Sequence, residues 1–180
     1  STTYTPNQFF DVVLPNSSRG VVRIVGYMLR RILGWSDADG NPVNPHVSFS
    51  YSELIEKANV SRSMIKDAIE EATEKNFIRC IREPQPNLPG ERAVSGLYEL
   101  CWADEETYIR EIENFRGFYS GNGNLTYIPN KFFDYTVREE SLSVVKVVGA
   151  IIRYTIGFRS KFGLRRERVE MSFTKLARIT

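Results

Sequence analysis

The sequence predicts a mainly α protein with a small β component (α+β), built from one unit that occurs twice. Two observations carry this prediction. Tyr4-Thr5-Pro6-Asn7-Gln8-Phe9-Phe10-Asp11 returns as Tyr127-Ile128-Pro129-Asn130-Lys131-Phe132-Phe133-Asp134, and the match runs on without a gap from 21–26 to 144–149. Arg30 then falls on Arg153, Leu33-Gly34-Trp35 on Ile156-Gly157-Phe158, and after loops of unequal length 50–54 answers to 172–176. Secondly, apolar residues after each opening recur at helical spacing, whereas strand-like segments begin only near Phe77.

Taken in order, Val21, Val22, Ile24, Val25, Met28, Leu29, Ile32 and Leu33 form a wide helical stripe, matched by Val144, Val145, Val147, Val148, Ile151, Ile152 and Ile156. Gly26 and Gly149 sit mid-helix at equivalent places, where glycine costs ~1 kcal/mol relative to alanine. That predicts close packing there, against the Phe-Phe pair. Gly34 and Gly157 fit as helix C-caps. Residues 37–42 carry turn chemistry. Ser50 or Ser52 can cap a short helix through Ala58. A tight turn over 58–61 leads, with Ser61 or Asn59 as N-cap, into a helix from Arg62 to Lys75. That helix aligns Ile65, Ala68, Ile69 and Ala72, and Asn76 fits as its C-cap. Strands are expected over 77–82 and 96–101, around a Pro- and Gly-containing loop at 83–95. Helix, helix, turn, helix and hairpin is the order of a winged helix-turn-helix.

The expected organisation is a first winged-helix domain at 1–103, a helical and Gly/Asn-containing linker at 104–123, and a second, C-terminally incomplete winged helix at 124–180. Within the linker, 104–115 is expected as a helix and 121–124 as a flexible loop. The second copy stops soon after its second helix should begin, which suggests a fragment of a longer chain. Its apolar stripe would then pack on the first unit or on a second molecule, giving a homodimer.

Composition narrows the class. The 180 residues are 42% hydrophobic and 26% charged, too apolar for a disordered tail. No apolar run approaches the ~20 residues that span a bilayer, and Ser1-Thr2-Thr3-Tyr4 does not read as a signal peptide. Cys80 and Cys101 form no CxxC pair, and a single histidine, His46, cannot build a histidine-based metal site. His46 reads as a surface loop residue, and the cysteines, on strands that might be neighbours, as buried thiols. No phosphate loop, nucleophile elbow or carboxylate–metal motif occurs. These features point to an intracellular protein that is not an enzyme and takes no cofactor, metal or membrane partner.

The Tyr-x-Pro-Asn-x-Phe-Phe-Asp opening and the helix ending in Arg31-Ile32-Leu33-Gly34-Trp35 (Tyr154-Thr155-Ile156-Gly157-Phe158 in the second copy) resemble the N-terminal domain of phage replication protein O. The segments Ser50-Tyr51-Ser52-Glu53-Leu54, Val60-Ser61-Arg62-Ser63-Met64-Ile65-Lys66 and Glu74-Lys75-Asn76-Phe77-Ile78 match its helix-turn-helix and the start of its wing. The resemblance implies origin binding in phage or plasmid replication, in the bacterial cytoplasm, with a helicase or its loader recruited through a further C-terminal region. Two departures stand out: the repeat itself, where one such domain is usual, and an unusually acidic third helix.

In a helix-turn-helix the start of that third helix enters the major groove. Ser61, Arg62, Ser63 and Lys66 are therefore the candidate DNA contacts, with Arg62 suited to guanine and Lys66 to a base or phosphate. Asp67, Glu70, Glu71 and Glu74 repel phosphate and restrict reading to the first two turns. Arg82 and Arg92 flank the wing loop and could clamp phosphates. The formal charge of +2 conceals a gradient: 11 basic and 12 acidic side chains in 1–103, 3 and 6 in 104–137, 10 and 4 in 138–180. The densest cluster, Arg159, Lys161, Arg165, Arg166 and Arg168, lies in a loop interleaved with Phe158 and Phe162. Contact to DNA phosphates is its expected role, and a solvated loop or a contact to the acidic linker is the alternative. The functional expectation is sequence-specific binding of double-stranded DNA at an origin. A transcriptional repressor with the same fold and a protein–protein adaptor that no longer touches DNA remain the alternatives.

Overall fold

A computed structural model describes residues 1–104, 107–158 and 163–180. It is a mixed α+β structure with small sheets. Strand β1 (Thr2–Pro6) leads into a π-helical turn (Phe9–Val13), a 3-10 turn and helix α1 (Arg19–Leu33). Then come β2 (His46–Phe49), α2 (Tyr51–Ala58), α3 (Arg62–Glu74), β3 (Ile78–Arg82) and β4 (Gly96–Leu100). The short strands β5 (Trp102–Ala103) and β6 (Phe118–Tyr119) precede the second copy: β7 (Leu125–Pro129), a π-helical turn (Phe132–Val137), α4 (Leu142–Tyr154) and α5 (Phe173–Ile179).

Helix α1 starts because Ser18 accepts a hydrogen bond from the Val21 amide. Its apolar stripe then buries on every side, with Val21, Ile24, Val25, Met28 and Leu29 fully enclosed. Each such side chain contributes roughly 1.5–3 kcal/mol of burial. Ser50 caps α2 in the same way, through the Glu53 amide. The antiparallel sheet β2-β4-β3 closes over the base of α1, stacking Phe49 on Tyr98 at 4.6 Å.

The two copies meet across an approximate twofold axis. Strands β1 and β7 pair antiparallel with Tyr4 opposite Tyr127, its own repeat equivalent, so the axis passes between them. Contacts on either side occur in reciprocal pairs, the mark of an isologous interface. The Thr3 hydroxyl donates to Asn130 at 2.8 Å, and the Thr126 hydroxyl to Asn7 at 2.7 Å. Arg30 meets Asp134 at 3.0 Å, and Arg153 meets Asp11 at 3.0 Å. A β-carbon on Gly26 would lie 3.0 Å from Val137 Cγ1, and one on Gly149 2.7 Å from Leu14 Cδ1. The expected close packing at these glycines is present, and it presses each helix onto the Phe-Phe turn of the other copy.

Several local expectations change. Gly34 is the C-cap of α1, with φ −73°, but α4 has Thr155 as its C-cap and Gly157 lies two residues beyond it; neither glycine is in the left-handed region. A side chain there would strike the carbonyl of Arg30 or Arg153, so the glycines leave room for the Arg–Asp pairs. Asn59 is the left-handed C-cap of α2, and Ser61, at the N-cap of α3, makes no capping bond. Lys75 is the C-cap of α3 and Asn76 follows in the left-handed region. His46 begins β2 rather than lying in a loop, 3.2 Å from Glu99. Cys80 lies opposite Tyr98 and Cys101 just beyond β4, both as free thiols whose pKa burial pushes up.

The helix expected over 104–115 is absent among the described residues, which show only a 3-10 turn (Ile112–Asn114). This segment is also no free linker. Phe115 and Phe118 are buried in the common core, and β6 pairs parallel with β5. The Gln8 side chain donates to the Ile109 carbonyl and accepts from the Tyr119 amide. In a helix over 104–115 the Ile109 carbonyl would accept from the Glu113 amide instead of from Gln8.

The reciprocal ion pairs differ in environment. Asp11 is 13% exposed and also accepts from Tyr108 and Arg110, whereas Asp134 is 52% exposed. Asp11→Asn is expected to destabilise the fold by about 3–5 kcal/mol, because it strands the buried Arg153. Asp134→Asn should cost about 1 kcal/mol or less. Urea denaturation of both variants checks this, and equal losses would refute the asymmetry.

Candidate nucleic-acid interface

The third helix is held from behind and open in front. Ile65, Ala68 and Ala72 are buried against the core, while Ser61, Arg62, Ser63, Met64 and Lys66 are exposed on the first two turns. The turn before α3 is clamped to the second copy. Buried Arg23 of α1 donates to the carbonyls of Asn59, Val137 and Glu140, and Asn59 donates to the Arg138 carbonyl at 3.0 Å. One guanidinium thus ties the α2–α3 turn to the π-helical turn of the other repeat. Behind the turn, Tyr27 donates to Glu53, and Arg31 reaches the same carboxylate at 2.8 Å, fixing α2 on α1.

The predicted site residues separate into groups. Arg62 and Lys66 share the exposed start of α3, with Lys66 3.9 Å from Glu70. Arg82 donates to the Ser95 carbonyl across the base of the β3–β4 hairpin, and Arg92 is exposed in its loop. Arg165 and Arg166 instead lie over the rings of Tyr127 and Phe158, on second-copy elements, and Arg168 is exposed. Arg159 and Lys161 lie outside the described residues.

The acidic residues of α3 divide as well. Glu71 is structural: burial opposes its charge, yet hydrogen bonds from Ser18 and Lys75 hold its pKa below the usual value. Glu70 and Glu74 join Glu83 in lining the groove between α3 and the hairpin, a cavity of roughly 350 Å³. These carboxylates disfavour phosphate in that groove, which Lys66 also lines. Met64 was missed by charge-based reasoning. It is 45% exposed between Arg62 and Lys66, and its place off the Ile65–Ala68–Ala72 face was the available signal. An apolar side chain there suits the methyl group of thymine.

Three tyrosines in these supports titrate late. Burial, then the hydrogen bond to Glu53, pushes Tyr27 up to about 12, and burial likewise raises Tyr98 and Tyr108. The unfolded chain releases these protons near pH 10. Stability is therefore full below about pH 10 and falls as the pH rises towards 12. Urea midpoints between pH 8 and 11.5 should show this decline, shallower in Tyr27→Phe; a flat profile above pH 10 would refute it. No protein-family model, curated protein or solved structure matches the chain, so what this surface binds has to be argued from its own chemistry.

Proposed function

We propose that the chain is a tandem winged-helix protein that binds double-stranded DNA sequence-specifically, in the manner of the phage replication protein O N-terminal domain it resembles. The observation that carries this reading is the exposed start of α3, which presents Arg62, Ser63, Met64 and Lys66 together. The Met64 amide is taken by the Ser61 carbonyl, and the amides of Arg62 and Ser63, which precede the first helical hydrogen bond, favour phosphate. The order α2, left-handed turn, α3, then a hairpin paired with β2, supports a winged helix in the first copy. Arg82 and Arg92 would contact phosphate from the hairpin.

The internal twofold supplies within one chain the symmetry that helix-turn-helix dimers use on palindromic sites. A second copy carrying its own third helix would then contact a half-site inverted relative to that of the first. The biological role we assign is origin recognition in phage or plasmid replication, with a helicase or helicase loader as the protein partner. A protein–protein adaptor is the second reading, favoured by the acidic groove of Glu70, Glu74 and Glu83.

Selection of genomic fragments bound by the protein tests the assignment, with clustered inverted sites beside an AT-rich element expected for an initiator. A single operator over a promoter would make the protein a repressor. Arg62→Ala with Lys66→Ala should weaken binding of the selected duplex by about 1–3 kcal/mol per base pair that these side chains read. Absence of salt-sensitive binding to any duplex would remove the DNA reading and leave the adaptor.

A further inference from the structure

A second groove lies away from α3, where β1 and β7 meet the end of α4. Its cavity is roughly 540 Å³, lined by Tyr4, Tyr127, Phe158, Arg110, Arg153 and Arg165 among others, with no carboxylate on its walls among the described residues. Asp11, behind it, neutralises only part of this charge through Arg110 and Arg153. Guanidinium groups lie against the aromatic rings. Tyr4 and Tyr127 lie 4.6 Å apart at an interplanar angle of 30°, and the Arg165 guanidinium is 5.7 Å from the Tyr127 ring. Beside them, Arg153 and Arg166 lie 4.8 and 5.7 Å from the Phe158 ring. Among the described residues, no ion pair joins Arg165 or Arg166 to a carboxylate.

The repeat provides an internal control. Phe158 corresponds to Trp35, but the loop that follows Trp35 carries Asp37 and Asp39 where the second copy is rich in arginine. The fold therefore does not require arginines at this place. Tyr127 is 49% exposed in spite of its central position in the β1–β7 pair, so the ring pair does not serve to complete the core.

We propose that this groove binds single-stranded nucleic acid without sequence preference. The exposed parts of the Tyr4 and Tyr127 rings offer stacking surface to unpaired bases, whereas Phe158 is already stacked on Tyr154, and the neighbouring guanidinium groups hold the phosphates. A duplex hides its base faces and does not fit a concavity of this size. The Thr126 hydroxyl donates to Asn7 Oδ1, which takes one acceptor off the groove wall. The site is independent of the duplex interface on α3, and the two would let one molecule hold a duplex and a separated strand.

The test is fluorescence anisotropy with labelled oligo-dT of about 12 nucleotides, beside the matching dT·dA duplex and dTMP as competitors. Oligo-dT is expected to bind in a salt-sensitive manner. Tyr127→Leu and Arg165→Glu should each weaken it about tenfold or more, the effect of removing one stacking face or one phosphate-holding cation. Tyr127→Phe, which keeps the ring, should bind as the parent does, and thermal melting confirms that each variant is folded. Arg62→Ala with Lys66→Ala should leave oligo-dT binding unchanged while weakening the selected duplex, which separates failure of this site from failure of the α3 interface. The proposal is overturned if folded Tyr127→Leu and Arg165→Glu bind oligo-dT like the parent. It is equally overturned if dTMP competes as tightly as the oligonucleotide, or if the dT·dA duplex displaces it at the same concentration.

Discussion

The pairing of the two repeats across Tyr4 and Tyr127 is the constraint on which the remaining structure depends. Once these residues face each other in the β1–β7 register, the threonine–asparagine bonds, the Arg–Asp pairs and the helix-on-turn packing of Gly26 and Gly149 follow in reciprocal positions. The two repeats contribute to one contiguous core. Phe9 packs on Phe133 and Phe10 on Phe132, so the apolar floor under each helix comes partly from the other copy. An isologous interface doubles every favourable contact, which explains why a mid-helix glycine is tolerated twice.

The symmetry is kept near the axis and broken away from it. The segment 107–119 lies over Asp11 and Gln8 of the first copy, burying the Arg153 side of the ion-pair system and leaving the Arg30 side wet. Charge diverges in the same way. The loop after the first Gly-aromatic exit is acidic, and the loop after the second is basic. Two surfaces with different chemistry result: an α3 start with a few cations at the edge of an acidic groove, and an arginine–aromatic groove on the β1–β7 side. The buried Arg23 belongs to the first surface alone: it ties the Asn59 carbonyl, in the turn before α3, to the Val137 and Glu140 carbonyls of the second repeat.

Local pattern carried the sequence reading well where chemistry is local. The helices around Val21–Leu33 and Arg62–Glu74, the Ser50 cap and the β3–β4 hairpin were legible from periodicity, capping residues and turn composition. So was the need for close packing at Gly26 and Gly149. What failed involved partners distant in the chain. The 104–115 segment carries Ile109, Ile112 and Phe115 at helical spacing, yet Gln8 claims its backbone and Phe115 is drawn into the core. Strands β1 and β7 lie 123 residues apart and carry no hairpin signal, so neither was expected as a strand.

The candidate site divides along the same line. By itself the sequence determined that the chain is a repeat, that its basic excess lies in the second copy, and that Arg62 and Lys66 begin a helix whose later turns are acidic. Those are properties of composition and spacing, which need no neighbour to define them. Only the tertiary structure decided that the copies are twofold-related and share a core, that Glu71 serves packing, and that Arg165 and Arg166 lie over aromatic rings. Each of those outcomes rests on side chains far apart in the chain or on the choice between two faces of a loop, and no local periodicity encodes which distant group arrives to complete a contact.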